Sequence, residues 1–550
     1  MRRGAAAETA LRLALTALLA ALILLPLAAL LWHGLIRGGG AAVLAAPVTR
    51  RALAHTLVTG LGSTLLAGLL GGGFALLAGL TDLPQRGLLG LLFTLLLVIP
   101  PQITAIAWIA LTGPDSPVLR PLGLAPHPGA PTPLFGAGGI ILLQGIEQAP
   151  LVFLALRAGL RAIPRELTDA ARTAGAGPWR VLTTIILPLA APALAGGLSL
   201  AFIAAIGNFG TPALLGIPGR YIVLTTLIYQ RLTGFGPSAL GAVVALSLIL
   251  GVLAIGCVVL ERWIAGRRDV RAGIIPADPF PLGRWRAAAV AGSWLLLALL
   301  LFLPLAALVG AALVRAEGLP LTAATATFAH FRAVLAPGSA MRRALADSLL
   351  LSAVAAMLLG GIAAPACHLA RRGRVLRALV AAADVPFALP GVVLAIACIL
   401  LFLRPVAGIA LYDTLGIILV AYLMRFLPLA RRPVSAALDR LDPALEEAAQ
   451  AAGAAFPRRF VTIILPLLIP AMAAGALMVF LTAFNELTVS ALLWSEGHET
   501  LGVVVFNLEQ AGAFTQAAAV SVIAAGVTVA LMAGASLAAR GTPGLLPWQS

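Results

Sequence analysis

Two segments of this chain read alike. The first is Asp169-Ala170-Ala171-Arg172-Thr173-Ala174-Gly175, followed by Ile185-Ile186-Leu187-Pro188. The second, 278 residues on, is Glu447-Ala448-Ala449-Gln450-Ala451-Ala452-Gly453, followed by Ile463-Ile464-Leu465-Pro466. Pro192 and Pro470 keep the same offset. Each copy predicts a short helix: the acid suits its positive N-terminal end, the alanines give a closely approachable face, and the glycine ends it with positive φ. Each copy lies between long apolar runs. A polar helix displayed twice on one side of a membrane is a docking surface for two copies of a partner.

The composition requires a membrane. Of 550 residues, 61% are hydrophobic and 11% charged, with a mean hydropathy of +1.04. A soluble chain carries roughly a quarter charged residues. The apolar runs are about 20 residues long, enough to cross a ~30 Å hydrocarbon core. They predict an all-α integral membrane protein of twelve spans: 10–32, 55–80, 88–112, 134–157, 184–210, 238–262, 287–314, 345–369, 376–403, 409–430, 463–493 and 515–539.

All 37 basic residues are Arg. The absence of Lys excludes a G-x-x-x-x-G-K-[ST] phosphate loop and Schiff-base chemistry on Lys. The net charge of +16 is spread over loops rather than gathered on one face, so nucleic acid is not a partner. The denser Arg clusters fall at Arg2-Arg3, in both motif loops, in 262–286 and at 371–377. By the positive-inside rule, both loops and both termini are then cytoplasmic. The apolar run after Arg2-Arg3 is too long for a signal peptide and reads as an uncleaved first span. Cys257, Cys367 and Cys398 lie in apolar spans and suggest core packing, not disulfides or a metal site. Cys367-His368 reads as packing at a span end.

The repeat extends beyond the loops. Gly139-Ile140-Ile141-Leu142 with Pro150 matches Gly416-Ile417-Ile418-Leu419 with Pro428, Pro101 matches Pro390, and Gly72-Gly73 matches Gly360-Gly361. The chain divides into six-span halves, 1–265 and 285–550, joined by a polar cytoplasmic linker at 266–284. Parallel repeats about an axis along the membrane normal are a transporter arrangement, with a path between the halves. Pro100-Pro101, Pro390, Pro188 with Pro192, and Pro466 with Pro470 are expected to interrupt their helices. The last four are read as hinges beside the docking helices.

The pattern [ED]-A-A-x-x-x-G-x(9)-I-x-L-P resembles the coupling-loop motif of permease subunits of bacterial ATP-binding-cassette importers. Here it occurs once per half, and the first copy departs from it in carrying Asp169 for Glu. The fused form looks most like the ferric-iron importer permeases, through Gly207-Asn208-Phe209-Gly210-Thr211-Pro212-Ala213-Leu214-Leu215-Gly216 and Phe484-Asn485-Glu486-Leu487-Thr488-Val489-Ser490-Ala491-Leu492-Leu493. Fused permeases for thiamine, phosphonates and polyamine-like solutes are similar. The resemblance implies a type I importer permease in the bacterial cytoplasmic (inner) membrane. Loops 164–180 and 442–458 would dock two copies of a separate ATPase through Asp169, Ala170, Ala171, Gly175, Glu447, Ala448, Ala449 and Gly453. ATP would bind that partner, leaving no cofactor in this chain. A periplasmic or extracellular solute-binding protein would deliver the cargo, and lipid would surround the spans.

Polar groups at span depth are costly and point to function. Asn208, Asn485 and Glu486 are read as lining the path or its outer gate, with the fifth and eleventh spans facing each other across it. Gln144, Glu147 and Gln148 form a second group, and Glu147 aligns with Arg425; an ion pair between them across the axis is one arrangement, an interfacial Arg425 the other. No residue cluster has the spacing of a tight metal site. The competing class is a secondary transporter, which would couple through an intramembrane carboxylate without an ATPase. No paired acid and base or nucleophile supports an enzyme.

Overall fold

The computed structural model describes residues 2–36, 40–127, 129–130, 132–234, 239–265, 280–406 and 408–538. Most of the expected linker, 266–279, lies outside the described residues. The sixteen principal helices are α1 (Arg2–Ile36), α2 (Pro47–Leu80), α3 (Arg86–Val98), α4 (Pro101–Thr112), α5 (Ala137–Arg161), α6 (Arg165–Thr173), α7 (Pro178–Gly207), α8 (Ala239–Ala265), α9 (Gly283–Leu313), α10 (Ala340–Ala370), α11 (Arg374–Ala388), α12 (Gly391–Phe402), α13 (Leu415–Arg440), α14 (Pro443–Ala451), α15 (Phe456–Phe484) and α16 (Phe514–Ala538). Short helices at 210–216, 224–232 and 501–510 follow the fifth and eleventh spans.

Among the described residues, nine helices are long and apolar enough to cross a membrane, and two bent pairs, α3/α4 and α11/α12, each make one broken span. The twelfth element is α13, whose apolar stretch carries Arg425, Arg431 and Arg432. The chain is thus an all-α membrane protein with nine to eleven candidate spans among the described residues, and α13 stands where the tenth of the twelve expected spans was placed. The expected boundaries shift most at two places. The tenth span begins at Leu415, not 409, and runs on to Arg440. The eleventh ends at Phe484, not 493, because Asn485 leaves the helix.

The prolines act in two different ways. Pro100 and Pro390 are the N-cap residues of α4 and α12, at φ −56°, ψ 140° and φ −54°, ψ 139°. There the third and ninth spans bend by 100° and 112°. Pro100, rather than Pro101, is therefore the counterpart of Pro390. Pro188, Pro192, Pro466 and Pro470 do not break their spans. A π-helical turn at Leu182–Ile186 precedes Pro188, and another at Phe460–Ile464 precedes Pro466. Widening the turn gives the proline ring room and re-pairs the neighbouring backbone.

Small residues let the helices of each half close together. Gly197 on α7 faces Val152 and Ala155 on α5, and Gly475 on α15 faces the backbone of Ala430 on α13. A Cβ on Gly475 would stand 2.8 Å from the Ala430 carbonyl oxygen and 2.9 Å from its Cα. The first span of each half packs on the other half. α1 lies against α11 and α12, and α9 lies against α4.

Leu in place of Gly475 should overpack this backbone contact and cost about 1–3 kcal/mol. A lower thermal unfolding midpoint of the detergent-solubilised protein checks this, against an unchanged midpoint for Leu at the open position Gly361.

Candidate functional site

Helices α6 and α14 are built alike and end alike. Gly175 and Gly453 follow them at φ +83° and +81°. In α6 the Ala176 N–H donates to the Ala171 carbonyl at 2.9 Å and the Gly175 N–H to that of Arg172 at 3.0 Å. In α14 the Ala454 N–H donates to Ala449 and the Gly453 N–H to Gln450, both at 3.0 Å. This is the Schellman closure, and the left-handed residue it requires is the one a glycine adopts without strain.

The motif acids are not at the helix starts. Each helix begins four residues earlier, at Arg165 and Pro443. The first-turn acids are Glu166 and Glu446, and Asp442 caps α14 by accepting from the Ala444 N–H at 2.9 Å. Asp169 sits mid-helix, 3.0 Å from Arg165 and 3.9 Å from Arg172. The alanines divide between two faces. Ala170 and Ala448 are exposed, whereas Ala171 and Ala449 are half-buried towards the protein. Beside the exposed pair stand Leu167 and Leu445, 44% and 47% exposed at matched positions. The sequence signal for these leucines was present in the repeat offset, but the motif pattern does not include them.

The two helices are held differently. Glu446 of α14 lies 2.7 Å from Arg372, 3.5 Å from Arg459 and 3.6 Å from His368. Arg372 also reaches Glu8 of α1 at 3.3 Å. His368, read from sequence as a packing residue at a span end, does pack between Phe456 and Phe460, and it also borders this cluster. At the matched position α6 has Thr168, fully buried, its hydroxyl donating to the Arg165 carbonyl at 2.8 Å. Arg172 stacks 4.9 Å over Phe280, whose backbone pairs with Leu80 and Asp82. The residues that fix α14 come from α1, α10, the turn after α10 and α15, which no local pattern announces.

Deeper in each half, the span before the motif helix is clasped to the end of the span after it. In the first half Glu147 on α5 accepts from Asn208 Nδ2 at 3.1 Å and from the Thr211 hydroxyl at 2.9 Å. In the second, Arg425 Nη1 on α13 donates to Glu486 at 3.0 Å. Glu486 also accepts from the N–H groups of Val489 at 2.8 Å and Ser490 at 3.1 Å. Both clasps join residues 61 apart in sequence. The Glu147–Arg425 pair across the axis does not form, because each group is taken within its own half. Arg425 lies within α13, with ten residues of the helix before it and fifteen after. Gln144 bonds Ser63 and the Ala205 carbonyl, and Gln148 is buried.

The fifth and eleventh spans do not pack along each other. The end of each instead meets the broken span of the opposite half. Asn485 donates to the Val98 carbonyl at 3.2 Å, where α3 stops before its break, and accepts from Thr528 at 3.2 Å. At the matched position, Gly207 lies against Pro390, 3.2 Å from where a Cβ would stand. Beyond them Gly210 approaches Leu487 and Gln102, and Phe209 meets Phe506 edge-on at 5.5 Å between centroids. Asn208, Asn485 and Glu486 are therefore at the seam of the halves, but their polar atoms are engaged. The bends turn α3/α4 and α11/α12 into the space where the two spans were expected to face.

Among the described residues no group of three or more His, Cys, Asp or Glu could hold a metal ion. Cys367 and Cys398 are buried and Cys257 half-buried, all as free thiols.

Comparison with known proteins finds one family twice in the chain. Residues 71–269 and 356–540 each match a family described as binding-protein-dependent transport system inner membrane component. The matched regions leave out α1 and α9, the two spans that pack on the opposite half. A "Probable ABC transporter permease protein" of Sinorhizobium fredii is 27% identical over 77% of this chain and 76% of its own length. The "Ferric transport system permease protein" of Actinobacillus pleuropneumoniae is 27% identical over 66% of this chain, and the chain spans only 52% of that relative. The "Molybdenum transport system permease protein" of Escherichia coli is 32% identical over 25% of this chain and 61% of its own. With the family matched twice, over most of its length, the chain belongs to the binding-protein-dependent transport system inner membrane components, as a fused two-copy, multi-pass transport permease and not an enzyme.

Proposed function

We propose that this chain forms the membrane path of an ATP-driven importer in the bacterial inner membrane, with α6 and α14 each seated on one copy of a separate ATPase on the cytoplasmic side. The observation that carries the reading is the matched pair of exposed faces, Leu167 with Ala170 and Leu445 with Ala448, each fixed by a glycine-closed helix end. Two such faces on one side of the molecule, at equivalent positions of a repeat, suit two copies of one partner. Asp169 and Glu447 flank the small residues, and Gly175 and Gly453 set the direction in which the chain enters α7 and α15. Pro188, Pro192, Pro466 and Pro470, with the π-turns before them, are the compliant points where the docking helices join these spans. Asn208, Asn485 and Glu486 hold the far ends of the same spans at the seam, as the gate of the path. A solute-binding protein on the outer side would supply cargo.

Ferric iron is the cargo we assign, because relatives described as ferric transport permeases match about two thirds of the chain. The related molybdenum and sulfate permeases make an oxyanion the second reading. Uptake of radiolabelled iron or molybdate into vesicles holding the complete importer separates the two. Uptake of neither, with the binding protein and ATP present, would overturn both.

Tandem purification should recover the ATPase with this chain. Ala170→Trp and Ala448→Trp should reduce recovery and uptake at least about tenfold each, the equivalent of roughly 1.4 kcal/mol of lost contact. Size-exclusion profiles should stay unchanged, because both positions are exposed. Ordinary recovery and uptake in both variants would show that these faces are not the docking surface.

Gly175→Val and Gly453→Val should cost about 1–2 kcal/mol in helix closure. Hydrogen exchange is the measurement: protection across residues 165–176 or 443–454 should fall about tenfold, with the spans unaffected. Retained protection in both would mean that the positive φ is not needed.

A further inference from the structure

The face of α13 that carries Arg425 is only partly covered: Arg432 on it reaches Asp384 at 3.4 Å and stacks 5.2 Å over Phe387, both on α11. Arg425, Leu429, Arg432 and Ala436 recur at i, i+4, i+7 and i+11, on one face of the helix. Their exposure rises along the series: Arg425 and Leu429 are half-exposed, Arg432 and Ala436 exposed. One turn further on, Ile418, Ala421 and Tyr422 are buried, so the open stripe stops at Arg425.

The rest of α13 is covered by its own half. The Ala430 backbone meets Gly475 on α15, the Arg431 carbonyl meets Cys367 on α10, and Met424 meets Cys398 on α12. The open stripe is therefore turned away from α10, between α12 and α15. The Arg425 end of the stripe stands beside the seam: its guanidinium lies against Gly391, next to Pro390, and Pro390 meets Gly207 of the first half.

Charge at the end of this stripe is one-sided. Glu486 is satisfied by Arg425, two backbone N–H groups and the Ser490 hydroxyl. Its side chain is 6% exposed, against 22% for Arg425. A guanidinium has five N–H donors. Among the described residues only Nη1 of Arg425 is hydrogen-bonded, and that to Glu486. Gly391 beside it has no room for a Cβ, which would collide with the guanidinium. The first half has no counterpart charge here, because Glu147 is 3% exposed and accepts from Asn208 and Thr211. Leu154 there matches Arg432.

We propose that Arg425 is the contact point on the path for cargo that carries negative charge, either an oxyanion or a metal ion inside an anionic chelate. The inference rests on the reading of the chain as an importer permease, and it deepens that reading: iron would cross as an anionic complex rather than as a bare cation. The free N–H groups of Arg425 are suited to carboxylate or oxyanion oxygens. One such contact, with Glu486 already competing for the charge, guides an anion without holding it.

The test reads the field of the path without needing the cargo. In the full-length protein, Cys257, Cys367 and Cys398 are replaced by Ala, and Leu429→Cys or Ala436→Cys is introduced. Modification rates are measured with an anionic (sulfonatoethyl) and a cationic (trimethylammonioethyl) methanethiosulfonate reagent. For Leu429→Cys, the anionic-to-cationic rate ratio should fall on the order of tenfold when Arg425→Gln is added, as loss of a charge within a few ångströms in a partly buried site demands. Arg425→Lys should keep the ratio. Glu486→Gln, which removes the competing carboxylate, should raise it, and this variant decides the matter if Arg425→Gln does not fold. An unchanged ratio in both Arg425→Gln and Glu486→Gln overturns the proposal. So does a Leu429→Cys thiol unreactive to both reagents while Ala436→Cys reacts. Failure of the importer reading registers separately, as absence of ATPase co-purification in the unmodified chain.

Discussion

Hydrocarbon offers a peptide group no hydrogen-bond partner, and this one constraint arranges the rest of the molecule. A span can break only where protein covers the exposed carbonyls and N–H groups. The third and ninth spans break at Pro100 and Pro390, and both breaks lie at the seam between halves. One is sealed by Asn485, which takes the Val98 carbonyl left over at the end of α3. The other is closed by contact, with Gly207 flush against Pro390. At Pro188 and Pro466 the chain instead keeps its helix and absorbs the proline in a π-turn.

The same economy links the motif helices to the seam. α6 leads into α7, and α14 into α15, through a few residues with a glycine of fixed handedness between them. The far end of each of those spans is clasped to the span that enters the motif helix, by Glu147 with Asn208 or Arg425 with Glu486. Close backbone packing at Gly197 and Gly475 joins the same two spans midway. Each half thus holds a stiff pair of helices with the motif helix at one end and the seam at the other. Displacement of the motif helix would pass through the π-turn joints into this pair and so reach the opposite half's broken span.

Much of this was legible in the chain itself. Twelve apolar runs, the repeated motif and the glycine offsets prescribe the helices, their pairing and the left-handed residues at Gly175 and Gly453. The period of a repeat says which residues are equivalent, but not what they touch. Glu147 and Arg425 are equivalent, and their opposite charges suggested a bond; each is instead satisfied by a neighbour 61 residues on. The ion cluster at Glu446 draws on Glu8, His368, Arg372 and Arg459, which meet only after three spans have packed. The direction of Ala170 against Ala171 depends on where the helix starts, and the motif acid was a poor marker of that start.

The inverted clasps carry a consequence for how such a molecule is encoded. At equivalent positions, one half has acid then amide and the other has base then acid. A pair of identical subunits has no access to that arrangement, since every substitution would appear on both sides at once. Two copies in one reading frame can be edited separately. Fusion here is a licence for asymmetry: a nearly symmetric frame whose two halves are held by unlike clasps.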